Sequence, residues 1–239
     1  MRAVITAAGR GQRTWPLQLM VDRDGIQRSV LAIIIAEALS AGVERVAVVV
    51  HPGDQGAYAD AAAEHSGKLE FIEQPEPRGY GHAVWCAREF VAGHPFLLMV
   101  GDHVYRSHEA GGCARQLVGI ATEEECPVSA VQATHESLLP RFGTIGARRV
   151  AGKPGLYEVR EVIEKPTPTE AEQRLVVPGL RTGRYLCFFG MHVLTSSVME
   201  RLGRRLEDSA GAVHLSDVLR ETASQERYLA CELAGHLHD

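Results

Sequence analysis

Four stretches of this chain carry residue types that do chemistry on phosphates and hydroxyls. Arg2 to Ala7 is a short apolar run that leads into Ala7-Ala8-Gly9-Arg10-Gly11-Gln12-Arg13, and Pro16 closes the turn. Small residues and glycines let a backbone approach a ligand, with N–H groups free to point at anionic oxygens. Arg13 adds a planar, permanent charge suited to phosphate. A plain strand-to-helix turn is the alternative, and neither the Walker loop nor the three-glycine dinucleotide fingerprint is present. Glu73-Gln74-Pro75-Glu76-Pro77-Arg78-Gly79-Tyr80-Gly81-His82-Ala83 is stiffened by two prolines and opened by two glycines. The Gln74 amide offers a donor and an acceptor, which matches a uracil or thymine imide edge, although the stretch also reads as a rigid connection. Leu97-Leu98-Met99-Val100-Gly101-Asp102-His103 ends an apolar strand on a carboxylate, suited either to Mg²⁺ or to capping a turn. Val162-Ile163-Glu164-Lys165-Pro166 pairs an acid with a base, ordinarily a solvated ion pair of little energetic worth.

Taken together, these residues resemble the sugar-nucleotide pyrophosphorylases, nucleotidyltransferases that join a nucleoside triphosphate to a sugar 1-phosphate. Ala8-Gly9-Arg10-Gly11-Gln12-Arg13 followed by Pro16 is similar to their G-x-G-T-R-x-x-P signature, with Gln12 in place of Thr. The Gly-x-Gly-His-Ala form of the second stretch most resembles the UTP:glucose-1-phosphate uridylyltransferase branch. The resemblance implies that Ala7, Ala8, Gly9, Gly11 and Arg13 meet the nucleotide, and that Gln74, Pro77 and Gly79 meet its base. It further implies that Asp102 holds Mg²⁺, and that Glu164 binds sugar hydroxyls while Lys165 holds the sugar phosphate; His103 is expected as a lid or shell residue rather than a ligand, because Mg²⁺ is hard and avoids imidazole. Phe142-Gly143 and Phe189-Gly190 resemble the glycine sites lining the sugar pocket. Gly235-His236-Leu237-His238-Asp239 resembles the segment that supplies a second metal carboxylate, which makes Asp239 a metal ligand. Its two histidines could instead take a transition metal, but a chain terminus makes a poor cage.

The implied reaction is in-line attack of a sugar 1-phosphate oxygen on the α-phosphorus, with pyrophosphate leaving. That oxygen is already anionic, so no general base is required. Arg13, Asp102 and Lys165 are the expected catalytic residues, acting by position and charge. One feature departs from the family. A lysine that normally follows the loop's proline and holds the triphosphate has no counterpart in Leu17 to Gln27, and Arg28-Ser29 stands where Lys-Pro is usual. Arg23 or Arg28 could supply that charge. Losing one such contact costs on the order of 3–4 kcal/mol of transition-state stabilisation. The alternatives are therefore a weak or silent relative that binds a nucleotide or sugar nucleotide, or a relative using dTTP or another sugar or cyclitol phosphate. A glycosyltransferase with an Asp-x-Asp metal motif ranks low, because Asp22-Arg23-Asp24 lies in an irregular segment.

The elements that must position these residues alternate. Strands are expected at Arg2–Ala7, Val46–Val50, Leu69–Ile72 and Phe96–Val100, with helices at Ser29–Ala41, from Asp54 to about Glu64, and at Gly81–Val91. Gly42 sits at the expected end of the first helix. This half predicts a doubly wound, Rossmann-like sheet whose strand ends share one ligand crevice. From about Glu124 the pattern becomes α+β, with strands at Val128–Ala133, Thr144–Arg148, Tyr157–Ile163, Tyr185–Leu194 and Arg227–Leu233 and helices at Ser196–Leu206 and Leu215–Ser224. The fold class is thus α/β, a mostly parallel mixed sheet of the kind such nucleotidyltransferases share with GT-A-like proteins. One domain is expected over 1–239, with a nucleotide half (1–123) and a sugar half (124–239).

The 239 residues are 45% hydrophobic and 23% charged, with a formal net charge of −5, which argues against a nucleic-acid surface. Cys86, Cys113, Cys126, Cys187 and Cys231 form no C-x-x-C pair, so neither a zinc site nor a disulfide framework is expected. Reduced thiols, no leader before the first strand and no membrane-length apolar run predict a cytoplasmic enzyme without membrane or nucleic-acid partners, with a homo-oligomer left open.

Overall fold

The computed structural model describes residues 1–9, 13–107 and 111–238. The first half runs β1 (Arg2–Thr6), β2 (Leu19–Val21), β3 (Gln27–Ser29), α1 (Val30–Ser40), β4 (Arg45–Val50), α2 (Gln55–Ala61), β5 (Leu69–Glu73), α3 (Tyr80–Cys86), α4 (Arg88–Val91), β6 (Phe96–Val100), β7 (Val104–Ser107) and α5 (Gly112–Glu124). The second half runs β8 (Val128–His135), β9 (Gly143–Arg149), β10 (Leu156–Glu164), α6 (Pro168–Arg174), β11 (Arg184–Leu194), α7 (Ser196–Asp208), α8 (Leu215–Gln225), β12 (Leu229–Glu232) and β13 (Gly235–His238).

Among the described residues, nine strands form one sheet in the order β5-β4-β1-β6-β11-β8-β12-β10-β9. The sheet is mixed, as expected, but its pairings are four parallel and five antiparallel among the described residues rather than mostly parallel. The strands β5, β4, β1 and β6 are mutually parallel, as are β8 and β12, and the other pairings are antiparallel. Strict alternation sorts the parallel strands' side chains onto two faces. Ala3, Ile5, Val46, Val48, Leu97 and Met99 pack with α1 and α5 on one face. Val4, Ala47, Val49, Phe96 and Leu98 pack with α3, α7 and α8 on the other. Both faces are covered, so the strands read as unbroken apolar runs. Burial on this scale, at about 25 cal/mol per Å² of apolar surface, dominates the stability of the fold.

One strand changes neighbours along its length. The C-terminal part of β11 pairs with β6, Met191 opposite Met99, whereas Leu186 and Cys187 pair with Ile145 and Thr144 of β9. The change falls at an irregularity, where the step from Phe188 to His192 on β11 faces the shorter step from Val131 to Ser129 on β8. Extra residues on one strand bend it and increase its twist. Gly190 sits in this irregularity with φ +69, and a Cβ there would lie 2.6 Å from Val100 Cγ2. Its left-handed backbone and lack of side chain are what let the strand fork.

Three sequence expectations need correction. The helix expected from Asp54 to about Glu64 is α-helical only over Gln55–Ala61 and continues as a 3₁₀ stretch over Ala63–Lys68. The segment 17–27, read as irregular, supplies β2 and the turn of the hairpin β2–β3, which runs on to Ser29 opposite Leu19, and in that turn Gly25 N donates to Asp22 O at 2.9 Å. The helix read as Gly81–Val91 is two short helices separated at Ala87. The first helix ends as expected, with Gly42 at φ +82 just past its last turn. The five cysteines are unpaired, and no described helix is long and apolar enough to cross a membrane.

Candidate active site

The parallel strands end on one edge, and their loops enclose a cleft of about 960 Å³. Ala7, Ala8 and Gly9 line it from β1, Gln74, Pro77 and Gly79 from the loop after β5, and Asp102 and His103 from the loop after β6. Glu164 and Lys165, at the end of β10, line the facing wall. A smaller compartment of about 180 Å³ adjoins it, sharing Tyr80, Val100, His103, Phe142 and Glu164, and reaching Gly143, Gly190 and His192. The sequence-predicted residues from both halves of the chain thus converge. Gly11 and Asp239 lie outside the described residues.

The loop after β1 is held by a residue the sequence reading did not single out. The buried Tyr58 hydroxyl sits 3.2 Å from Ala7 O and 2.8 Å from Arg13 O, bridging the two ends of the glycine loop. Burial is the main reason its phenol is pushed up to about 12. Arg13 does not line the cleft, since its Nε pairs with Asp54 Oδ2 at 3.2 Å. Asp54 makes no side-chain cap at the start of α2. Trp15 and Pro16, in the turn after the loop, do line the cleft.

The loop after β5 is fixed from within. His82 Nδ1 lies 2.9 Å from Glu76 O, which can only accept, so Nδ1 carries the proton. The Gln74 Nε2 at 3.2 Å from the same nitrogen is then a neighbour rather than a donor to it, and its hydrogen bond goes to Gly79 O at 3.1 Å. That sets the orientation of the Gln74 amide. Gly79 packs too tightly for a side chain, because a Cβ there would lie 2.8 Å from Val213 O. Arg78 Nη2 donates to Leu206 O at 2.9 Å and also to Ser209 O, tying this loop to the end of α7.

Asp102 Oδ1 lies 2.8 Å from His103 Nδ1, both side chains being largely buried. His103 lines both compartments, in keeping with its expected place as a shell residue. Among the described residues, no group of three or more His, Cys, Asp or Glu could hold a metal unaided. A lone hard carboxylate suits an ion that takes its remaining ligands from phosphate and water, which is how Mg²⁺ binds. It does not suit a soft ion that takes thiolate or imidazole ligands. β13 pairs antiparallel with β7, which sets His238 opposite Val104, two positions after Asp102.

On the facing wall, Lys165 adopts φ +47, which L-residues avoid. Its N–H donates to Phe142 O at 3.2 Å. Gly143 has room for no side chain, since a Cβ would lie 2.8 Å from Phe188 Cδ2 and 3.0 Å from Glu164 Oε2. Gly190 is less open than its type suggests, because its carbonyl accepts from the Tyr105 hydroxyl at 2.7 Å. Arg141 lines both compartments beside Glu164 and was not foreseen; its position before Phe142-Gly143 was the available signal. Neither Arg23 nor Arg28 lines the cleft. Arg28 is held by Asp22 at 3.0 Å, Asp24 at 2.8 Å and Glu64 at 3.5 Å, so it does not replace the missing lysine.

This fold and cleft are those of a nucleotidyltransferase, and the chain belongs to that family: the family model described as Nucleotidyl transferase matches residues 2–236. Among curated proteins it is similar to UTP--glucose-1-phosphate uridylyltransferase of Bacillus subtilis (strain 168), 26% identical over 264 residues that cover 100% of this chain and 85% of that one. It is also similar to the Streptococcus pneumoniae serotype 4 protein of the same name, 28% identical over 265 residues with 100% and 85% covered. Among solved structures, a UDP-glucose pyrophosphorylase complexed with UDP-glucose superposes with a TM-score of 0.81 at 19% identity, covering 100% of this chain and 92% of that chain. A UTP-bound UGPase from Acinetobacter baumannii gives 0.75 at 20% identity, with 100% and 87% covered. These likenesses establish the shared fold.

Proposed function

We propose that this chain transfers the uridylyl group of UTP to glucose 1-phosphate, forming UDP-glucose and releasing pyrophosphate. The observation that carries the reading is the convergence of the β1 loop, Gln74, Asp102 and the Glu164–Lys165 pair on one cleft. The names of the curated relatives support the choice of UTP and glucose 1-phosphate. In this reading the backbone at Ala8 and Gly9 cradles phosphate oxygens. Gln74 and the chain at Gly79 face the base. Lys165 holds the attacking sugar phosphate and Glu164 binds its hydroxyls.

Asp102 would hold Mg²⁺, with Asp239 as the proposed second carboxylate; the register of β13 beside the Asp102 loop supports that assignment. When bound, the ion supplies neutralisation of charge on the phosphates. The protein's own share is alignment. It brings an anionic oxygen in line with the α-phosphorus and keeps Lys165 beside the attacking phosphate. Arg13 contributes from beside the loop, where Asp54 now holds it.

The test is pyrophosphate release from UTP, glucose 1-phosphate and Mg²⁺. Release is expected, with loss on chelation, recovery on adding Mg²⁺, and a fall of about 10²–10³ in Asp102→Asn. No release with any nucleoside triphosphate and sugar phosphate would overturn the reading. The enclosure of Arg28 by three carboxylates favours a second reading, sugar-nucleotide binding without turnover. Calorimetry separates the two, since tight UDP-glucose binding without pyrophosphate release belongs to the second.

A further inference from the structure

The smaller compartment contains polar groups that no part of the phosphate chemistry uses. His192, on β11 beside the fork, is 3% exposed and lines this compartment. Its Nδ1 lies 2.5 Å from Ser129 Oγ, and Ser129 Oγ in turn lies 2.5 Å from the Tyr228 hydroxyl. Among the described residues, Nε2 of His192 has no partner. Ser216, in the first turn of α8, is 6% exposed and lines the same compartment. Its hydroxyl is buried without a hydrogen bond.

The direction of the chain Tyr228–Ser129–His192 follows from counting donors. Tyr228 is fully buried, and its hydroxyl has no partner but Ser129 among the described residues. A buried donor left unpaired is costly, whereas an under-used acceptor is tolerated. The Tyr228 O–H therefore donates to Ser129, and the Ser129 O–H donates to His192 Nδ1. This leaves the proton of the neutral imidazole on Nε2, the nitrogen without a protein partner. Burial holds His192 at a pKa of about 3, so the ring is neutral at ordinary pH. The compartment thus offers a fixed N–H donor and a buried hydroxyl that can donate or accept, beside the Glu164 carboxylate. Such a set, neutral donors and acceptors beside a carboxylate, pairs with the hydroxyl groups of a ligand, while the compartment's cation, Arg141, is shared with the larger cleft.

We propose that His192 and Ser216 are sugar-recognition residues, reading ring hydroxyls of the sugar phosphate, with Ser129 and Tyr228 as positioning residues that hold His192 as an Nε2–H donor. The assignment rests on the uridylyl-transfer reading given above. A buried polar pair rejects ligands that leave it unsatisfied more strongly than an apolar pocket does.

Calorimetry of UDP and UDP-glucose tests it without requiring turnover. The wild type should bind UDP-glucose more tightly than UDP. His192→Phe and Ser216→Ala should each keep the UDP affinity within about twofold and weaken UDP-glucose about tenfold. His192→Gln, which retains a donor, should recover part of the loss, and Ser129→Ala should give a smaller loss of about threefold. Ser216→Ala removes a single oxygen and keeps the test decisive if a His192 variant does not fold. Variants that retain the full gain of UDP-glucose over UDP overturn the assignment, as do variants that lose UDP binding equally. A parallel pyrophosphate assay separates the two proposals. Turnover with an unchanged sugar gain in the variants defeats this one alone, a sugar gain without turnover defeats only the uridylyl-transfer reading, and a wild type that binds no UDP defeats both.

Discussion

Lys165 shows how a single residue can serve the site against its own conformational preference. Its backbone lies at φ +47, a region costing an L-residue on the order of 1–2 kcal/mol. The hydrogen bond from its N–H to Phe142 O helps hold it there. Strain kept at a site is tolerated where the surrounding structure over-determines it. Replacing Lys165 by Ala removes the amine and keeps the strain, while Gly removes both. Lys165→Gly is therefore expected to be at least as stable as Lys165→Ala, by up to about 1 kcal/mol in urea unfolding, although Gly is ordinarily the poorer residue. Both variants should lose turnover alike, by about 10²-fold, because what they share is the missing charge. A Gly variant clearly less stable than the Ala variant would show that the backbone at this position is not strained.

Elements add what residues cannot. The β1 strand, the loop after it and helix α2 act together through Tyr58, whose hydroxyl reaches both Ala7 O and Arg13 O. Tyr58→Phe should cost about 0.5–1.5 kcal/mol of stability and raise the KM for the triphosphate several-fold, with little change in the KM for the sugar phosphate. A rise shared equally by both substrates would mean that the loop is not what the hydroxyl holds. The sequence showed the glycines of this loop but not its pin, because nothing about a tyrosine in a short helix marks which carbonyls it will meet. The same contrast recurs elsewhere. The buried strands of the parallel half were legible, since Val46–Val50 and Phe96–Val100 are apolar on both faces and must be covered twice. Gln74, Asp102, Glu164 and Lys165 were legible as a set through their resemblance to a known family. What was not legible depends on pairing over long sequence distances. β7 meets β13 across some 130 residues, and β11 exchanges β9 for β6 at Gly190. The hairpin β2–β3 was missed because its strands are only three residues each and mostly exposed, so no apolar alternation announces them. Arg28 looked available in the sequence and is not, because Asp22 and Asp24 across the turn, and Glu64, enclose it.

At the scale of the whole molecule, the parallel half supplies the loops that line one side of the cleft, and the antiparallel half supplies a wall with its own polar interior. That interior carries a cost which acid should expose. His192 sits within the second half between β8 and β6, and burial moves its pKa from 6.5 to about 3. Above pH 6.5 the ring is neutral in both the folded and unfolded chain and contributes nothing to the pH dependence. Between 6.5 and about 3 the unfolded chain takes up a proton that the folded chain refuses, so stability falls as pH falls. One proton corresponds to about 1.4 kcal/mol per pH unit at full effect. His192→Gln keeps a hydrogen-bonding group beside Ser129 and removes the titration. Urea unfolding of the two proteins at pH 7.5, 6.0 and 5.0 should therefore show the variant less stable at the highest pH and closing on the wild type below it. The gap should narrow by roughly 1 kcal/mol between the last two values. Exposed histidines and carboxylates titrate alike in both proteins and cancel in the difference. Parallel stability curves across that range would mean that water or a ligand-like group reaches His192 in the folded chain, and that the imidazole is not the closed, neutral donor inferred above.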